Sequence, residues 1–176
     1  MIRFTNLEKQ IEAFKKYVIQ QSKSNLSKES KKATGALYNS IDAESKVSQN
    51  SFELDFIMEQ YGQFVDLGVK GKTSSAKAPN SPFRFGSGTG RKGGLTEGIN
   101  RWVRDRRFQF RDRQSGKFLS YETTAFLITR SVYNKGIEAS RFFSKPFEVG
   151  FERLPDELVE AYGLDVEQFL KDTLNK

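Results

Sequence analysis

The 176-residue chain carries 29 Lys and Arg against 22 Asp and Glu, a net charge of +7, and has neither cysteine nor histidine. Those absences exclude disulfides, Cys- or His-ligated metal centres, thiol nucleophiles and Ser-His-Asp triads. With 16 Phe, 6 Tyr and 1 Trp the composition is that of a folded domain and not of a disordered basic tail.

In chain order, residues 5–22 read as an amphipathic helix, with Leu7, Ile11, Phe14 and Val18 on one stripe. Thr5 and Glu8 have capping-box spacing. Residues 23–32 are polar and weakly patterned, a helix tail or a linker. Residues 34–41 suit a short helix or turn. Phe52, Leu54, Phe56 and Met58 alternate with mostly polar neighbours, which predicts a strand. Gln49-Asn50 is a turn candidate and residues 43–48 its hairpin partner. Tyr61–Gly68 reads as a turn and short element. Residues 70–94, rich in Ser, Lys, Pro and Gly, predict a long irregular connection of the kind compact domains keep for function or mobility.

A second helix is expected over 95–107, with Leu95, Ile99, Trp102 and Val103 on its apolar stripe, where core packing is expected of Trp102. Residues 108–121 read as a hairpin arm turning at Gln114–Gly116. A helix over 121–134 precedes Gly136. Phe142, Phe143, Pro146 and Phe147 suggest an extended aromatic segment. Two short helices are expected at the end, Pro155–Tyr162 and Asp165–Leu174, divided by Gly163, with Asp165 capping the second. No apolar run approaches the ~20 residues of a membrane span. The first residues lack a secretion-signal pattern, so a soluble protein of a reducing compartment is expected.

The charge is segmental: +5 over residues 1–34, −5 over 35–69, +10 over 70–117 and −3 over 118–176. The positive block is either a solvated loop or a surface aimed at something anionic. Within it Gly88–Gly93 matches G-x-G-x-x-G, but no buried strand precedes it, so a flexible loop is the better reading and no cofactor is expected. Glu44, Glu53 and Asp55 are the best candidates for a metal-dependent nuclease site, weighed against the solvent face of an antiparallel hairpin. The densest feature is the run of six arginines between Arg101 and Arg113, interleaved with Trp102, Phe108 and Phe110. Arg101, Arg104, Arg107, Arg111 and Arg113 offer planar donor forks to phosphate or to carboxylates. DNA and an acidic protein partner both remain open on these residues.

Three segments, in order, resemble the tail-completion and head–tail joining proteins of tailed bacteriophages, of the lambdoid tail-component type. They are Thr34-Gly35-Ala36-Leu37-Tyr38-Asn39-Ser40-Ile41, then Tyr61-Gly62-Gln63-Phe64-Val65-Asp66-Leu67-Gly68, then Arg141-Phe142-Phe143-Ser144-Lys145-Pro146-Phe147. The insert 70–135 is long and residues 155–175 lie outside the pattern. The resemblance implies an α+β fold, a small antiparallel sheet packed with a long N-terminal helix and further helices. It implies one ring-forming domain over residues 1–150 with a loop and arm insertion at 70–121, followed by a C-terminal helical extension at 151–176.

It further implies a structural virion protein, not an enzyme. Such a protein would form a hexameric or dodecameric ring of the neck, joining capsid connector to tail around a DNA channel. Its partners would be further copies of itself, connector-side and tail proteins, and DNA passing non-specifically through the lumen. Tyr61, Phe64, Asp66, Phe85, Arg91, Lys92, Phe110 and Phe118 are the expected inter-subunit contacts. The alternative is a free basic nucleic-acid-binding protein.

Overall fold

The computed structural model describes residues 4–28, 35–48, 51–87 and 94–174. The fold is α+β, with seven helices and two small antiparallel sheets among the described residues. The chain divides into two compact units, residues 1–62 with 141–176, and residues 63–140. The Gln49-Asn50 turn, Thr34, and the Gly88–Gly93 motif with Arg91 and Lys92 lie outside the described residues.

The first unit is built on helix α1 (Thr5–Lys28). Its buried residues Ile11, Phe14, Val18, Ser22 and Leu26 continue the expected stripe by two more turns. Burial therefore carries the helix through the polar segment after residue 22. Helix α2 (Ala36–Ser40) is short and buries Leu37. Strands β1 (Asp42–Val47) and β2 (Phe52–Ile57) form the expected hairpin, with Glu44 opposite Asp55 and Lys46 opposite Glu53. Ala43 is buried and Leu54 and Phe56 are half-buried, while the alternate charged residues are exposed.

The aromatic segment after Arg141 is not extended. Helix α6 spans Ser144–Phe151, with Pro146 in its first turn, where a missing amide costs nothing. The helix turns Phe143, Phe147 and Phe151 onto one side. Phe14, Phe56, Phe143 and Phe147 then meet edge to face at centroid distances of 5.2–6.3 Å. Pairs of this geometry add about 0.5–1.5 kcal/mol each beyond burial.

The C-terminal segment is one helix, α7 (Leu154–Leu174), and not two. It lies against α1 through the buried Leu154, Ala161 and Asp165. Gly163 does not break it, because a helical Gly costs only ~1 kcal/mol and this packing outweighs that. Asp165 does not cap its own helix. Its carboxylate accepts from the amides of Asn6 (3.0 and 3.1 Å) and Leu7 (3.0 Å) and from Asn6 Nδ2 (2.9 Å), so it caps α1.

The second unit begins within helix α3 (Gly62–Leu67) and holds strands β3 (Val69–Lys70) and β4 (Gly136–Ile137), which pair antiparallel. Two-residue strands leave no period-two signature, and the sequence does not announce them. Gly136 takes φ 84°, and a Cβ there would lie 2.3 Å from Val69 O. A Cβ on Gly71 would lie 2.0 Å from Asn134 O. The crossing is thus a backbone-to-backbone contact that only glycine admits.

The irregular connection is tied down over 71–87. Lys70 and Phe83–Phe85 exchange backbone hydrogen bonds of 2.9 Å, Lys72 N donates to Tyr133 O at 2.9 Å, and the buried Ser81 hydroxyl donates to Gly68 O at 2.7 Å. Helices α4 (Gly94–Asp105) and α5 (Tyr121–Lys135) pack on each other and complete this unit.

Candidate assembly interface: the arginine-rich helix and its arm

Helix α4 buries only Val103. Leu95 and Ile99 are half-buried, and Trp102, expected in the core, stays 38% exposed. The reason is the shallow core beneath. On α5 the buried positions are Thr124 and Ala125, which give α4 little apolar volume to bury against.

The chain leaves α4 through a Schellman turn. Phe108 N donates to Val103 O at 2.9 Å and Arg107 N to Arg104 O at 3.0 Å, with Arg107 at φ 49°. That left-handed position favours glycine, so an arginine there carries a conformational cost of about 1 kcal/mol. The turn brings Phe108 back to Trp102, 5.8 Å between centroids, and Phe108 meets Phe110 edge to face at 5.3 Å.

Residues 108–119 form the expected arm. Arg111 and Phe118 are bridged antiparallel, Leu119 N donates to Phe110 O at 2.8 Å, and Asp112 N to Lys117 O at 2.9 Å. The Asp112 carboxylate closes the turn by accepting from Ser115 N (2.7 Å), Ser115 Oγ (2.8 Å) and Gln114 N (3.1 Å). The Ser115 hydrogen bonds hold its carboxyl below the ordinary 3.8. The arm is fastened to α5 by Phe110 N donating to Thr124 Oγ1 at 3.3 Å.

The five candidate arginines fall into two groups. Arg101 pairs with Glu97 at 3.4 Å, one turn away. Arg104 pairs with Glu122 across to α5 and covers the Tyr121 ring at 5.7 Å. Arg107, Arg111 and Arg113 are exposed and form no ion pair with a described carboxylate. Arg111 instead stacks its guanidinium 4.8 Å from the Phe118 centroid, whose ring is 63% exposed. Phe108 and Phe110 are exposed beside them. The arm therefore presents aromatic faces together with guanidinium groups that have no described carboxylate partner.

The other expected contacts scatter. Tyr61 is exposed; Phe64 is exposed but meets Phe83 edge to face at 4.6 Å; Phe85 is half-buried near Tyr133. Asp66, expected as a surface contact, is 5% exposed. Arg91 and Lys92 lie outside the described residues. Glu44, Glu53 and Asp55 are exposed on the hairpin. Among the described residues no three acidic side chains are grouped to hold a metal ion. No described helix is long and apolar enough to cross a membrane.

Sequence reasoning missed Tyr121 as the platform for Arg104; its position one residue after the Ser120 cap of α5 was the available signal. In comparisons with known proteins, no family model, no curated protein and no solved structure matches this chain.

Proposed function

We propose that this chain is a structural subunit of a tailed-phage virion. In this reading it forms a ring in the neck or head-proximal tail that joins the capsid connector to the tail around the DNA channel, and its location is the virion. The observation that carries the reading is the arm, which offers Phe108, Phe110 and Phe118 to solvent among Arg107, Arg111 and Arg113. A monomer gains nothing from exposing large rings, whereas interface centres are enriched in aromatic residues and Arg. The resemblance in residues 34–41, 61–68 and 141–147 supports the same reading. So does an α+β fold with a long N-terminal helix.

A second reading, a free nucleic-acid-binding protein, is favoured by the three guanidinium groups without carboxylate partners. The two separate in solution. The ring reading expects a discrete oligomer of six or twelve copies by native mass spectrometry, and the protein in purified virions. A stable monomer whose DNA affinity falls with salt at a slope of roughly −3, as three phosphate contacts require, would overturn it.

A further inference from the structure

Helix α7 has a second face that its packing on α1 leaves open. Leu154, Leu158, Ala161 and Asp165 turn toward α1 at helical spacing. Offset from them by about 100°, Val159, Tyr162, Val166 and Leu170 form another stripe of the same spacing. Val159 is 73% exposed, Tyr162 48% and Leu170 51%. Asp156, Glu160 and Glu167 line its far edge, and all three are exposed. The whole helix carries six acidic residues and one basic residue. Where this stripe meets α1 and the hairpin, a groove of about 460 Å³ opens between Phe4, Leu7, Phe52, Leu158, Val159 and Tyr162.

An apolar stripe with an acidic border needs a partner that is apolar and basic. This chain carries one. The arm, residues 108–119, holds Arg111, Arg113 and Lys117 against Asp112, +2, to set against the exposed Asp156 and Glu160 of α7, while Glu167 pairs with Lys171. Arg111 and Phe118 stand opposite each other across the arm, the guanidinium 4.8 Å from the ring centroid, and Arg113 is exposed in the turn beyond them. We infer that the arm of one copy docks on the α7 face of a second copy, with Phe118 against Val159 and Tyr162 and Arg111 and Arg113 along Asp156 and Glu160. The inference rests on the ring reading and specifies its contact. The surfaces are different, so the contact is heterologous and propagates head to tail. The partner is a second copy because the complementary charge and the complementary apolar surface are both its own.

The test uses the full chain with the photoreactive residue p-benzoylphenylalanine at position 118. Labelled and unlabelled chains are mixed and irradiated, and crosslinks are mapped by mass spectrometry. Crosslinks from one chain to residues 156–170 of the other are expected. Crosslinks elsewhere, in a chain that does oligomerise, overturn the docking and leave the ring reading standing. A wild-type chain that stays monomeric overturns both. As a second arm, Arg111→Glu with Arg113→Glu, and separately Asp156→Lys with Glu160→Lys, should each raise the dissociation constant about tenfold or more. All four together should restore association. A quadruple variant that keeps its helical content and associates no better than its parents overturns the pairing.

Discussion

Replacing Asp165 by alanine removes the acceptor of three backbone and side-chain donors at the start of α1, across 159 residues of sequence. The carboxylate is 4% exposed, so water cannot simply take its place. Hydrogen bonds to a charged acceptor contribute about 1.5–3 kcal/mol each, but bonds sharing one carboxylate do not add. Loss of a helix N-cap alone costs about 0.5–2 kcal/mol. Adding the burial of amides left without an acceptor gives about 3 kcal/mol for Asp165→Ala.

Asp165→Asn keeps one acceptor oxygen but sets its NH2 donor against the Leu7 amide or the Asn6 side chain, so it loses a hydrogen bond as well as the charge at the positive end of the helix, and about 2 kcal/mol is expected. Thr5→Ala, which leaves these contacts in place, should cost under about 0.5 kcal/mol. Urea unfolding followed by circular dichroism reads all three against wild type. A loss below about 0.5 kcal/mol for Asp165→Ala, or a larger loss for Thr5→Ala, would refute the tertiary cap and return the start of α1 to a local capping box.

Gly71→Ala should destabilise the second unit by more than about 3 kcal/mol, because its Cβ would meet Asn134 O at 2.0 Å with backbone on both sides; protease sensitivity of residues 63–140 reports it. Arg107→Gly should raise thermal stability slightly, by about 1 kcal/mol, by relieving the left-handed arginine, while weakening self-association measured by sedimentation. A gain in both would show that the charge has no role in assembly. The Glu12 carboxyl is held below its ordinary 4.5, first by the Lys15 ammonium and then by the Ser45 hydroxyl at 2.7 Å. A depressed folded pKa stabilises above the unfolded value near 4.5, and that contribution is lost as pH falls through the folded pKa. Glu12→Gln should therefore flatten acid unfolding by no more than about 0.5 kcal/mol, since the side chain is 40% exposed and solvent screens it.

The elements legible in the sequence are those stabilised by their own pattern. The α1 stripe, the alternation of β2, the Gly116 turn of the arm and the Gly136 stop of α5 are local signals, and each element stands where it was expected. What escaped depends on contacts far away in sequence. Gly163 and Asp165 look like a stop and a start until α1 is beside them. The Phe142–Phe147 segment looks extended until its rings find Phe14 and Phe56. In the candidate interface, the arginines and aromatics were legible as a group. Their division was not, because only tertiary packing brings Glu122 to Arg104 and leaves Arg107, Arg111 and Arg113 without such a partner.

The separation of opposite charge onto different units has a consequence for how copies would meet. Two arms brought face to face oppose +2 with +2, and two α7 faces oppose the exposed Asp156 and Glu160 of one copy with those of the other. Symmetric pairing through either surface is therefore penalised, since like charges held together in an interface cost several kcal/mol. Only the unlike combination cancels charge while covering Phe118 and Val159, and it uses a different surface on each copy. A contact of that kind leaves one free arm and one free α7 face on every open assembly. It is satisfied on all copies only when the chain of subunits closes on itself. The rings exposed on the arm would make the subunit prone to indiscriminate association, and the flanking guanidinium groups restrict it to acidic apolar surfaces. At 1 M salt, where the Debye length falls to about 3 Å, that discrimination weakens while the apolar contact persists. Salt should therefore broaden the distribution of assembled states more than it lowers the amount assembled.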